Sequence, residues 1–147
     1  WMAAFHGRAK NPKDLINKLN GMLLQENIEK HITIISGIFN LDTHLIRWYS
    51  AGHYPPAIIF EPGQSPQIFN TSSFPLGLTP DLELEEFEYT LKLGARFIIC
   101  SDGALESYSG GLNEQFIQLV EHLRNQSFQA PEHVADDVAI LSFKRIN

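Results

Sequence analysis

Phe97-Ile98-Ile99-Cys100 is an apolar run of strand length, and it opens directly into Ser101-Asp102-Gly103-Ala104. Aliphatic and aromatic side chains at successive positions suit a buried strand. The Asp102-Gly103 pair then predicts an abrupt turn that presents a carboxylate beyond the sheet. A chain built around such a strand needs flanking layers, and its chemistry depends on whether that carboxylate holds a metal ion or shapes a turn. The 147 residues are enough for one domain with a proper core.

Charge narrows the classes of partner. With 44% hydrophobic and 19% charged residues the composition is that of a globular protein, and a net charge of −6 gives no general attraction to nucleic acid or anionic membrane. There is no basic stripe, no apolar run approaching a membrane span, and no signal-peptide pattern in Trp1-Met2-Ala3-Ala4-Phe5. Cys100 is the single cysteine, so no intrachain disulfide forms, and the expected location is cytoplasmic. Trp1 opens inside an apolar segment, as a fragment of something longer would.

The remaining elements follow from local patterns. Trp1 to about Lys10 reads as a helix end. Asn11-Pro12-Lys13-Asp14 is a helix start, with Asn11 as N-cap and Pro12 in the first helical position. Leu15, Ile16, Leu19, Met22 and Leu23 then form one apolar stripe to about Glu26. Ile32–Leu41 and Ile46–Ala51 predict an antiparallel hairpin through Asp42-Thr43-His44. The prolines of Ala51-Gly52-His53-Tyr54-Pro55-Pro56 end that pairing. Ala57–Phe60 and Pro66–Phe69 predict short strands around a Glu61–Gln64 turn, and Phe74–Leu78 an apolar loop. From Leu82 to Leu91 the alternation changes phase, which a bulge at Glu85-Glu86 would absorb. Glu83, Glu85, Glu86 and Glu88 read as a solvated strand face. After Gly110-Gly111, a loop or the hinge of a flap, Leu112, Phe116, Leu119, Val120 and Leu123 mark a second amphipathic helix. Val138–Phe143 is the last strand. This order argues for α+β layers rather than βαβ units.

Two acidic positions sit at strand ends: Asp102 leaving one, and Asp136 with Asp137 entering another. Carboxylates placed this way can converge into an oxygen-rich Mg²⁺ or Mn²⁺ site, and the same residues also suit a turn and a solvated loop. His53 could orient a phosphate or bond to a neighbouring backbone. His6, His31, His44, His122 and His133 have no metal-ligand spacing and read as surface residues. Cys100 reads as core rather than nucleophile.

Four segments follow one another in the chain: Ala51-Gly52-His53-Tyr54-Pro55-Pro56, Pro75-Leu76-Gly77-Leu78, Ser101-Asp102-Gly103-Ala104-Leu105-Glu106 and Asp136-Asp137-Val138-Ala139-Ile140-Leu141. In that order they resemble the metal-dependent PPM protein serine/threonine phosphatases, in particular the bacterial sporulation stage II E-like branch. The resemblance covers nearly the whole chain. It implies a single α+β domain over residues 1–147, an αββα sandwich of two antiparallel sheets flanked by helices, lacking its N-terminal strands. Asp102 and Gly103 match the family's Ser/Thr-Asp-Gly metal motif, and Asp136 its second metal aspartate. Asp137 and His53 then stand beside the metal ligands. The implied cofactor is a pair of Mn²⁺ or Mg²⁺ ions, and the implied reaction is hydrolysis of phosphoserine or phosphothreonine by metal-activated water.

The implied partner is a phosphorylated regulatory protein such as an anti-sigma-factor antagonist. The domain would act as the output of a response regulator, behind an N-terminal receiver or sensor domain, and a homodimer is compatible with it. Neither nucleic acid nor membrane is expected as a partner. Two departures matter. The family's Gly-Asp-x-x-x-Asp-like and Asp-x-x-Gly-His-Gly motifs would precede Trp1, and Phe5-His6-Gly7 does not replace the second. Pro131-Glu132-His133-Val134 reads as a shortened start of a helix the family carries before Asp136. Gly94-Ala95, where the family has Gly-Asp, is a loop detail. The alternative from another class is a catalytically inactive phosphatase-like adaptor that binds a partner protein.

Overall fold

The computed structural model describes residues 11–26, 30–129 and 136–147. The expected helix end at Trp1–Lys10 and the helix start at Pro131–Val134 lie outside the described residues. In chain order the elements are helix α1 (Pro12–Gln25), strands β1 (Ile34–Phe39), β2 (Leu45–Ala51), β3 (Ala57–Phe60), β4 (Gln67–Phe69), β5 (Glu86–Thr90) and β6 (Arg96–Cys100), a 3₁₀ helix (Asp102–Ser107), helix α2 (Leu112–Arg124) and strand β7 (Ile140–Lys144). They fall into two compact units, one of Trp1–His53 with Thr71–Thr90, the other of Tyr54–Asn70 with Leu91–Asn147.

The first unit begins with the cap that its sequence specifies. Asn11 is extended, and its Oδ1 accepts from the amide of Asp14 at 2.8 Å, which satisfies one of the helix's orphan donors. Ile16, Leu19 and Leu23 of α1 bury with Tyr49, Ala51 and Leu76, leaving Leu15 at the cluster's margin. Asn20 is also buried on this face. Its amide donates to the carbonyl of Thr79 at 2.9 Å and its Oδ1 accepts from the amide of Gly77 at 2.8 Å, so helix and loop are pinned by a satisfied polar group.

The three-stranded sheet has the order β1-β2-β5, antiparallel throughout. The β1–β2 hairpin runs in register from Ile34↔Ala51 to Phe39↔Ile46. Asn40 Oδ1 accepts from the amides of Asp42 and Thr43, each at 2.9 Å, and holds the connection. On β5, Glu86 and Glu88 oppose Tyr49 and Arg47 and bond to them, so this part of the acidic run is a paired cross-strand face. Trp48, 1% exposed, stacks on Phe87 at 5.4 Å.

The long strand expected over Leu82–Leu91 begins only at Glu86. Leu82 and Leu84 instead pack against the α1 cluster from an irregular segment. The change of phase therefore marks where loop becomes strand, with no bulge. At Gly52, with φ +60, a Cβ would lie 2.4 Å from Pro75, so the chain needs glycine where the two segments touch.

The second unit holds the sheet β4-β3-β6-β7, again antiparallel. Ile58, Phe60, Ile98 and Cys100 form a buried cluster with Ala104, Leu105, Leu119 and Leu123. Helix α2 thus covers β3 and β6 with Leu119 and Leu123, while Leu112, expected on the same stripe, is 64% exposed at the first turn. Arg96 Nη2 donates to the carbonyls of Leu123 and Arg124 at 3.0 and 2.9 Å, satisfying acceptors that the helix end leaves open. Strand β7 starts two residues later than Val138, and Val138 packs on the core from outside it.

Two antiparallel sheets and their helices make the α+β class expected from the sequence. Among the described residues no helix is long and apolar enough to cross a membrane.

Candidate metal centre

Strand β6 carries the chain to Ser101, and the expected turn at Asp102-Gly103 is instead the first step of the 3₁₀ helix. Ala104 and Leu105 bury in the core cluster, which anchors this helix from beneath. Asp102 at its first position stays exposed. A strand that runs into a short helix with apolar residues at its middle therefore leaves one carboxylate at the rim of the sheet.

The neighbouring segment 136–139 runs alongside. Ser101 donates its amide to the carbonyl of Ala139 at 2.9 Å. Its hydroxyl lies 2.9 Å from the carbonyl of Asp137 and 2.8 Å from the amide of Ala139. Glu106 Oε2 accepts from the amide of Asp136 at 3.3 Å. Gly103 completes the contact: a Cβ there would sit 2.6 Å from the carbonyl oxygen of Asp137 and 3.1 Å from that of Asp136. Glycine is required by this backbone approach.

Asp102 and Asp136 behave alike locally. Asp102 Oδ1 accepts from the amide of Gly103 at 3.2 Å, and Asp136 Oδ1 from the amide of Asp137 at 2.8 Å. Both residues are exposed, as is Asp137, whose carbonyl makes the inter-segment contact. His53 belongs to the first unit, and Asp102, Gly103, Asp136 and Asp137 to the second. Carboxylate and carbonyl oxygens are hard donors, the chemistry that Mg²⁺ and Mn²⁺ take. Two carboxylates with water can hold one such ion but under-ligate a pair, and among the described residues no three His, Cys, Asp or Glu side chains gather at a metal position.

Reading from sequence named Asp102, Gly103 and Asp136 but assigned no part to Ser101 or Glu106. Ser101 stands at the Ser/Thr position of the Ser/Thr-Asp-Gly motif and Glu106 at the end of the same segment, and neither place states a role. The bonds that give them meaning join residues far apart in the chain.

Other groups near this site do different work. Cys100 is 3% exposed, and burial pushes its thiol up to about 11. At pH 8 about a thousandth of it is thiolate, so Cys100 in the folded protein should resist iodoacetamide and react only after denaturation. Peptide mass mapping of both samples checks this, and fast labelling of the native protein would contradict it. His122, expected as a plain surface residue, is exposed but has its Nδ1 2.9 Å from the Tyr108 hydroxyl.

Solved structures share this architecture. The chain matches the phosphatase domain of SpoIIE from Bacillus subtilis with a TM-score of 0.61 and 15% identity, covering 93% of this chain and 68% of that one. It matches the RsbU and RsbW domains of Rv1364c from Mycobacterium tuberculosis with a TM-score of 0.72 and 15% identity, covering 98% and 44%. RsbX in complex with magnesium gives 0.65 and 15%, covering 95% and 68%. The fold is therefore that of the PP2C-type, or PPM, phosphatase domains.

The family described as Stage II sporulation protein E (SpoIIE) matches over residues 2–145, and the chain belongs to it. The phosphoserine phosphatase RsbU of Bacillus subtilis (strain 168) is 22% identical over 134 residues, 87% of this chain. The chain spans 40% of that relative's length.

Proposed function

We propose that this chain is a phosphatase domain that, in its natural gene product, removes phosphate from phosphoserine or phosphothreonine on a regulatory protein with the help of Mn²⁺ or Mg²⁺. The observation that carries the reading is the contact of two acidic segments at one rim of the second sheet, with Gly103 packed against the peptide of Asp137. Asp102 and Asp136 would hold the metal, and Gly103 would let their segments meet. A bound divalent ion supplies Lewis-acid polarisation of a phosphoryl oxygen and acidifies water. The chain's own part is to orient: Ser101 and Glu106 brace the segment of Asp136, and the buried Ala104 and Leu105 fix the helix that bears Asp102.

The name of RsbU as a phosphoserine phosphatase supports the substrate class. RsbX with magnesium and a manganese-soaked SpoIIE phosphatase domain support the choice of ion. A regulatory phosphoprotein of the anti-sigma-factor-antagonist kind, and a role as the output of a response regulator, belong to this proposal. The small donor count favours a second reading, an adaptor that binds such a partner without turning it over.

Phosphate release from a phosphoserine protein or peptide separates the two. The natural gene product should turn over in Mn²⁺ and stop in excess EDTA. Binding of the phosphoprotein with no release under either condition would establish the adaptor instead. The 147-residue chain by itself is expected to give little or no turnover, since Asp102 and Asp136 alone under-ligate a pair of ions. Robust Mn²⁺-dependent release by that chain would contradict this account of its donors.

A further inference from the structure

We infer that Ser101 is a positioning residue for the candidate metal centre, its hydroxyl setting the spacing between the segments that carry Asp102 and Asp136. The inference rests on the metal-dependent reading above. A backbone amide can only donate and a carbonyl can only accept, so the hydroxyl must accept from Ala139 (2.8 Å) and donate to Asp137 (2.9 Å). Both functions of the hydroxyl are then in use on one short segment.

The place matters as much as the bonds. The β6–β7 register ends at Cys100↔Ile140, so Ser101 acts one step beyond the ladder. Past it, the segment is held by the Ser101 amide bond to Ala139 and by Glu106 at 3.3 Å, the long end of the hydrogen-bond range. Gly103 sets the closest approach of the two backbones, and the hydroxyl draws them to it. Removing the hydroxyl leaves the Asp137 carbonyl and the Ala139 amide to solvent and lets the segment of Asp136 drift from Asp102. Partners that hydrogen-bond a metal ligand directly are worth about 10–100-fold in metal affinity, and Ser101, which bonds the backbone one residue beyond Asp136, is expected at the low end of that range.

The test is Mn²⁺ affinity of the natural gene product, read from the electron paramagnetic resonance of free Mn²⁺, with each variant kept well below its own unfolding midpoint in EDTA. Asp102→Asn should weaken binding most, Ser101→Ala about tenfold or more, and Ser101→Thr, which keeps the hydroxyl, within about threefold of the parent. Should Ser101→Ala fail to fold, Ser101→Cys, a weaker donor and acceptor, replaces it with the same expected order. Parent-like binding by the alanine and cysteine variants, with Asp102→Asn still weak, would overturn the role of Ser101 and leave the metal reading standing. Parent-like binding by Asp102→Asn would remove both. Equal weakening by Ser101→Ala and Ser101→Thr would mark a packing role and overturn the inference.

Discussion

Asp102→Asn in the natural gene product is expected to lose Mn²⁺-dependent phosphatase activity by more than about a hundredfold while keeping its unfolding midpoint. The substitution preserves shape and removes one charge from an exposed side chain that the core does not use. Its Oδ1 can still accept from the amide of Gly103, so the start of the 3₁₀ helix should survive. What disappears is the anionic donor. Groups that only orient a ligand cost about 10–100-fold when lost, and a group that binds the ion itself should cost more. Initial rates across a Mn²⁺ titration, beside thermal unfolding in EDTA, give both readouts. Full activity in the variant would end the assignment of Asp102 as a ligand.

Gly103→Ala should behave differently, lowering both stability and activity. Its new methyl would meet the Asp137 carbonyl oxygen at 2.6 Å and the carbonyl carbon at 3.0 Å, and these are backbone atoms that cannot swing aside as a side-chain tip can. The segment 136–139 has to move, or the helix beginning at Asp102 has to lift off the core formed with Ala104 and Leu105. Overpacking of this kind costs about 1–3 kcal/mol. Urea unfolding should show the loss, and activity should fall further than the unfolded fraction explains, because the same movement separates Asp102 from Asp136. An unchanged midpoint with unchanged turnover would mean that the close approach does not exist in solution. Together the two variants separate a lost donor from a lost geometry.

Local signals account for what was legible beforehand. Asn11, Pro12 and Asp14 lie within one turn and determine the start of α1 without help from the rest of the chain. The β1–β2 hairpin was readable for the same reason, since its partners are close in sequence and the turn between them is polar. Alternation was less informative at Leu82–Leu84. Two leucines with one residue between them can point into a core from a strand or from an irregular segment, and only packing against α1 distinguishes the cases. Leu112 fitted the helical stripe, yet it is the first residue of α2 and stays exposed.

The candidate centre divides along the same line. Composition, strand pattern and motif order placed Asp102 and Asp136 at strand ends and pointed to the fold of this family. Tertiary structure alone decided that the strand winds into a 3₁₀ helix, that Gly103 meets the peptide of Asp137, and that the hydroxyl of Ser101 bridges two groups near the other end of the chain. The physical reason is range. Caps, turns and apolar periodicity are written by neighbours a few residues apart, whereas a hydrogen bond between distant segments exists only after the sheet has brought them together.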